Sequence, residues 1–191
     1  MSVIRKHIIE QSHIASTFKN DFAISQTHGH YIHGPKTMVH VLQNFDEKLL
    51  YDIFVKEFNE LCFNDNMIDI DDVGIVYTFV NYTNKQKVLK PIVDDILFSK
   101  NITPRQVLST YSKEWPVVIA LHTLVDDGAE TLIGGSEKVS VDLEYLYITM
   151  SRARVKCTVI MFPKCGRILD NYHRMKRLLN KINDLVEVKY H

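Results

Sequence analysis

The chain is poor in cysteine, with only Cys62, Cys157 and Cys165. Any disulfide scheme leaves one unpaired, and their spacing matches no metal-ligand set, which argues against a disulfide scaffold and a zinc knot. A reducing, intracellular compartment is therefore the expectation, with nucleus and cytoplasm indistinguishable. Long apolar runs are also missing. Nowhere do about 18 uncharged apolar residues follow one another, and MSVIRKHIIEQSH carries no stretch suited to a secretory signal, so no membrane association is expected. Charge of one sign is missing too, with 23 Lys and Arg against 23 Asp and Glu. No overall field advertises a polyanionic partner, although a local basic groove stays compatible with a neutral total.

A phosphate-binding loop is the last absence. The stretch THGHYIHGPKT holds Gly29 and Gly34 at the G-x-x-x-x-G spacing, with Lys36 and Thr37 behind them. Pro35 occupies the lysine's place and removes a backbone N–H from a loop that works by presenting such groups, so the Walker A reading fails. His28, His30 and His33 lie in the same stretch, but no nearby Cys, Asp or Glu completes a ligand set, and an exposed loop accounts for them. No metal site is expected.

What remains is a chain of 191 residues, 46% of them hydrophobic, enough for one compact core. Apolar β-rich runs predict strands at 38–42, 73–80, 117–121 and 155–162. Leu49, Leu50, Ile53, Phe54, Phe58 and Leu61 recur at helical spacing, with Asn44 and Glu47 as a capping box. Leu89, Ile92, Val93, Ile96 and Leu97 indicate a helix over 84–99, in which Pro91 is tolerable only near the first turn. A low-grade helical spacing also runs over 3–18. The acids Asp69, Asp71 and Asp72 read as a turn before a buried strand. Alternating helix and strand predicts an α/β sandwich with a mainly parallel sheet flanked by helices, its functional edge at the strands' carboxyl ends.

Residues 141–162, VDLEYLYITMSRARVKCTVIMF, organise the rest. An apolar helix carrying Leu143, Leu146, Tyr147 and Met150 ends at Arg152 and gives way to a strand. On a helical wheel Arg152 lies opposite Leu143 and Met150, so its guanidinium either meets a phosphate outside the core or caps the helix and pairs with an acid. The final segment, GRILDNYHRMKRLLNKINDLVEV, reads as an amphipathic helix with Ile168, Tyr172, Met175, Leu179, Ile182 and Val186 inward. From Pro163 onward seven Lys and Arg face three Asp and Glu. Arg174, Arg177 and Lys181 line an outer face that either contacts nucleic-acid phosphates or is simply solvated.

The string LEYLYITMSRAR resembles motif VI of the UvrD-like superfamily 1 helicases, and EWPVVIAL, Glu114 to Leu121, resembles their motif V. Together the likeness spans roughly residues 70–163. It implies the second RecA-like motor domain, here 35–163, between an N-terminal helix and His-rich loop over 1–34 and a basic amphipathic helix over 164–191. By the same resemblance Arg152 is an arginine finger and Glu114 a ribose contact, both cofactor-binding. Thr78 stands where the family's motif IV strand carries a second phosphate-sensing arginine, and Tyr111, Ser112 and Lys113 replace the usual approach to the glutamate. Asp126 and Asp127 mimic a magnesium-holding pair that belongs to the first motor domain, so they read as loop acids.

Two functions follow as expectations. The chain is the C-terminal half of an ATP-dependent nucleic-acid helicase or translocase, inactive alone and completed by a separate first motor domain. Alternatively it is a non-catalytic helicase-like remnant that binds protein or nucleic acid. ATP with magnesium is expected only in the completed motor, and no cofactor for the isolated chain. The partners implied are a first RecA-like motor domain or another protein, and single-stranded DNA or RNA.

Overall fold

A computed structural model of the chain describes residues 36–62, 69–79, 82–110, 113–124, 148–163, 176, 179, 180, 183 and 186–191. Within them six strands form one sheet, ordered β3-β2-β4-β5-β1-β6. They are β1 (Thr37–Val41), β2 (Val73–Tyr77), β3 (Arg105–Gln106), β4 (Trp115–Leu124), β5 (Ala153–Pro163) and β6 (Val186–Tyr190). Every pairing is parallel. The expected α/β architecture is present, and the segments beginning at 73, 117 and 155 lie side by side as β2, β4 and β5. Two predicted strands continue further than their apolar runs. β4 extends to both sides of 117–121, and β5 starts at Ala153, between the two arginines of the SRAR string.

Helix α1 (Glu47–Cys62) follows β1. Its N-terminus is capped by Asp46, whose Oδ1 accepts from the Leu49 N–H at 2.9 Å. Asp46 therefore does the work expected of Asn44, because an oxygen one residue before the first turn reaches the third helical N–H. A second helix, α2, runs over 82–100 with Pro91 in its middle. The first-turn placement expected for that proline is thus wrong. The segments Lys85–Leu89 and Val93–Leu97 on either side of it are wound with π turns, a wider winding that accommodates a residue with no N–H and a bulky ring. Asn101, at φ 58°, ends α2 in the left-handed conformation; Asn tolerates it better than most residues.

Both faces of the central strands are covered, so β4 and β5 read as near-continuous apolar runs. One face, with Ile75, Val117, Ile119, Leu121 and Ile160, packs on Phe54, Phe58 and Leu61 of α1 and on Val88, Ile92 and Leu97 of α2. The other, with Val39, Val76, Val118, Ala120 and Val159, packs on Val107, Ile148, Met150 and Leu179. Lys87 reaches Glu47 at 2.7 Å and Tyr51 reaches Asp95 at 3.2 Å, tying α2 to α1. Residues 186–190, assigned on sequence to the end of a helix, are strand β6, in register with β1 from Thr37↔Val186 to Val41↔Tyr190. Among the described residues no helix is long and apolar enough to cross a membrane.

Candidate functional site at the amino edge of β4 and β5

The entrances to β4 and β5 are built from two short turns. After β3 the chain makes a 3-10 turn, Val107–Thr110, held down by buried Val107 and Thr110. The Thr110 hydroxyl donates back to the Val107 carbonyl at 2.6 Å, and that of Ser109 to Gln106 at 2.7 Å. Before β5, residues 148–151 form a helical turn in which Ile148, Thr149, Met150 and Ser151 are all buried. The two entrances are joined by the Trp115 N–H, which donates to the Arg152 carbonyl at 2.9 Å.

Just beyond, the register slips from Trp115↔Ala153 to Val117↔Lys156, so β5 carries one residue more than β4. Pro116 falls at this bulge, where a strand tolerates the missing donor. Trp115 packs against the core with its ring over Gly74; a Cβ on Gly74 would lie 2.4 Å from the ring. Trp115 is accordingly a packing residue.

Arg152 is half-buried between the turns. Its Nε donates to the Ile148 carbonyl at 3.2 Å and to the Ser151 hydroxyl at 3.2 Å, and Nη2 donates to the same hydroxyl at 2.9 Å. Its Nη1 donates to the carbonyls of Thr110 at 3.1 Å and Lys113 at 3.4 Å. The guanidinium thus caps the last helical turn and clamps it to the approach to β4. Main-chain carbonyls and the Ser151 hydroxyl fix the orientation of the guanidinium. The register puts exposed Glu114 beside Arg152, and exposed Lys113 and Arg154 share this edge.

The other candidates divide. Thr78 follows β2 at the carboxyl end of the sheet: its N–H donates to the Leu121 carbonyl at 3.1 Å and its Oγ1 accepts from the Thr123 N–H at 3.0 Å. Buried Asn84 adds a bond to the Thr123 hydroxyl at 3.2 Å. At strand rise, the eight positions from 114 to 122 put Thr78 roughly 26 Å from Arg152. Thr78 and Arg152 therefore lie at opposite ends of the sheet. Glu114 and Arg152 stand at the amino ends of β4 and β5, away from the carboxyl ends where the functional edge is expected on sequence.

Asp69 caps the turn Ile70–Asp72, accepting from the Asp71 N–H at 3.4 Å. Among the described residues no group of three or more His, Cys, Asp or Glu is placed to hold a metal. Arg174, Arg177, Lys181, Asp126, Asp127 and the His28, His30 and His33 stretch lie outside the described residues.

Sequence reasoning missed a buried polar pair. Glu57 sits within the apolar stripe of α1, and its Oε1 lies 3.0 Å from His40 Nε2, both residues 2% exposed. An acid at an inward position between Phe54 and Leu61 was the available signal, since a buried carboxylate needs partners. His122 on β4 is fully buried, its ring nitrogens without a hydrogen-bond partner, and burial lowers its pKa to about 4.

No protein-family model matches the chain, and no curated protein does. Among solved structures it is similar to the crystal structure of the C-terminal domain of a possible DNA helicase from Lactobacillus plantarum WCFS1. The TM-score is 0.45 at 16% identity, covering 72% of this chain and 80% of that one.

Proposed function

We propose that the chain acts as the second motor-type domain of a UvrD-like, superfamily 1 nucleic-acid motor, working only against a separate nucleotide-loading domain. One observation carries this reading. The string that resembles motif V runs along β4 and the one that resembles motif VI leads into β5, its parallel neighbour, so that Glu114 and Arg152 stand at the entrances of adjacent strands on the same edge.

In this reading ATP with magnesium, held by the partner domain, supplies the transferable phosphoryl group. Arg152 supplies a planar charge already oriented by carbonyls, the kind of donor that stabilises developing negative charge without first having to reorganise. Glu114 accepts from a ribose hydroxyl. Arg174, Arg177 and Lys181 provide a basic face for single-stranded DNA or RNA, which requires affinity to fall with salt.

The test is ATP turnover by the purified chain mixed with a superfamily 1 first motor domain and single-stranded nucleic acid. The chain alone is inactive and the mixture turns over. Arg152→Ala lowers the mixture's rate by about 10³ or more, and Arg152→Lys, which lacks the fork, does not restore it. Equal rates for wild type and Arg152→Ala overturn the proposal.

A second reading has its own observation. The bonds from Arg152 to Ile148, Ser151, Thr110 and Lys113 also suit a purely structural clamp, as in a non-catalytic helicase-like module. There Arg152→Ala lowers the melting temperature and changes no turnover.

A further inference from the structure

The outer strand β6 is attached to the sheet largely by main-chain bonds. Val186 is its buried apolar side chain, Val188 is partly buried, and Glu187 and Tyr190 are exposed. The attachment continues one residue past the strand: the His191 N–H donates to the Val41 carbonyl at 2.9 Å and the Gln43 N–H to the His191 carbonyl at 3.1 Å. Here the ring of His191 meets that of His40 on β1, with Nε2 and Nδ1 2.9 Å apart and the rings stacked at 5.2 Å between centroids. The far nitrogen of His40 faces Glu57 Oε1 at 3.0 Å, and Glu57 Oε2 accepts from the buried Thr158 hydroxyl at 3.3 Å.

The gap between the two imidazoles holds one hydrogen. With both rings neutral, His40 carries its proton toward Glu57 and accepts from His191. One added proton, on either ring, still leaves a single N–H in the gap. A second puts N–H against N–H and two positive rings in contact, and the bond becomes a repulsion. We propose that the His40–His191 pair, backed by Glu57, is a proton-operated latch that holds β6 on β1 and lets it go when both imidazoles are protonated.

The surrounding charges favour release at the second proton. Lys56 on α1 and Lys189 on β6 add positive charge near His191, while Lys156 on β5 acts on Glu57. Lys56 and Lys189 are only loosely engaged, by Glu60 and Glu187, each at 3.8 Å. Burial first, then His40, Lys189 and Lys56, lower the pKa of His191. Burial works against ionising Glu57, yet the bond and charge of His40, the Thr158 hydroxyl and Lys156 together hold its pKa below the ordinary value, so the one acid in the cluster stays charged. A histidine whose docked pKa is depressed binds its proton more tightly when undocked. The docking it supports is complete above the free value of about 6.5 and is lost as pH falls through the lower, docked value.

The test is amide hydrogen exchange on the full chain, as protection factors for 186–191 against 117–121, at about pH 7.5 and about pH 5. The β6 amides lose protection about ten-fold or more at the lower pH while the β4 amides hold theirs. His191→Gln, which keeps a hydrogen-bonding side chain that does not titrate, leaves β6 equally protected at both. Unchanged β6 protection in the wild type, parallel loss in β4, or an undiminished pH effect in His191→Gln each overturns the latch. Should that variant leave β6 unprotected at both pH values, the wild type's ring-nitrogen shifts decide. A β6 opening midpoint that coincides with protonation of the second ring supports the latch, and one that falls anywhere else, including at protonation of the first ring, refutes it.

Discussion

The two edges of the sheet use their polar groups in opposite ways. At the carboxyl end Thr78, Thr123 and Asn84 are buried and bonded to one another, and the strands close on themselves. At the amino end of β4 and β5 the strands bulge, Arg152 is half-buried and donates to main-chain carbonyls and the Ser151 hydroxyl, and Lys113, Glu114 and Arg154 are exposed. A closed hydroxyl cluster stabilises a fold, whereas a charge oriented by carbonyls can act on something outside it. Under the proposed function, the difference leaves stability to one edge and chemistry to the other.

The sharpest way to break this contrast is at Arg152. Arg152→Ala should lower ATP turnover of the reconstituted motor by about 10³, roughly 4 kcal/mol of transition-state stabilisation, against a smaller loss of folding stability. Stopped-flow turnover and thermal melts on the same preparation compare the two. Gly74→Ala, also near the amino edge, should affect stability alone. Its Cβ would meet three Trp115 ring atoms at 2.4–2.7 Å, an overpacking worth about 1–3 kcal/mol in urea unfolding.

At the carboxyl edge, Thr78→Val removes the acceptor of the Thr123 N–H. It should lower stability by about 1–2 kcal/mol and leave turnover within about two-fold. An effect of Thr78→Val on turnover that rivals Arg152→Ala would erase the distinction between the edges. The smallest effect is expected at Asp46→Ala, which removes the cap of α1 and costs about 1 kcal/mol in the same unfolding measurement.

The central sheet was legible because strands covered on both faces must be apolar at nearly every position, and VVIAL and VKCTVIMF advertise this directly. The stripe of α1 was legible for the same reason. β6 was not, because Val186 falls at helical spacing from Ile182 while the alternation in VEVKY is too short to outweigh it. β3, at two residues, leaves no pattern at all. At the site, the pairing of Glu114 with Arg152 came from the resemblance of two strings, and no periodicity in the residues would have joined them.

The choice of edge was lost because strand direction in a parallel sheet says where a residue lies along the strand only once the strand's limits are known. Thr78 follows its strand and Arg152 precedes its own. Glu57 shows the other limit: its place in the stripe signalled a buried partner, yet His40, seventeen residues away, could be found only by folding.

The most direct measurement is the arginine side-chain Nε–H resonance of Arg152 in the isotopically labelled chain, with and without a first motor domain. Adding the domain loaded with magnesium, ADP and aluminium fluoride should move that resonance, as the phosphoryl mimic comes up to the guanidinium that the Ile148 and Thr110 carbonyls hold in place; the unloaded domain should leave it unchanged. A resonance that stays put beside the loaded domain would mean that Arg152 is a clamp, and that this edge completes no nucleotide pocket.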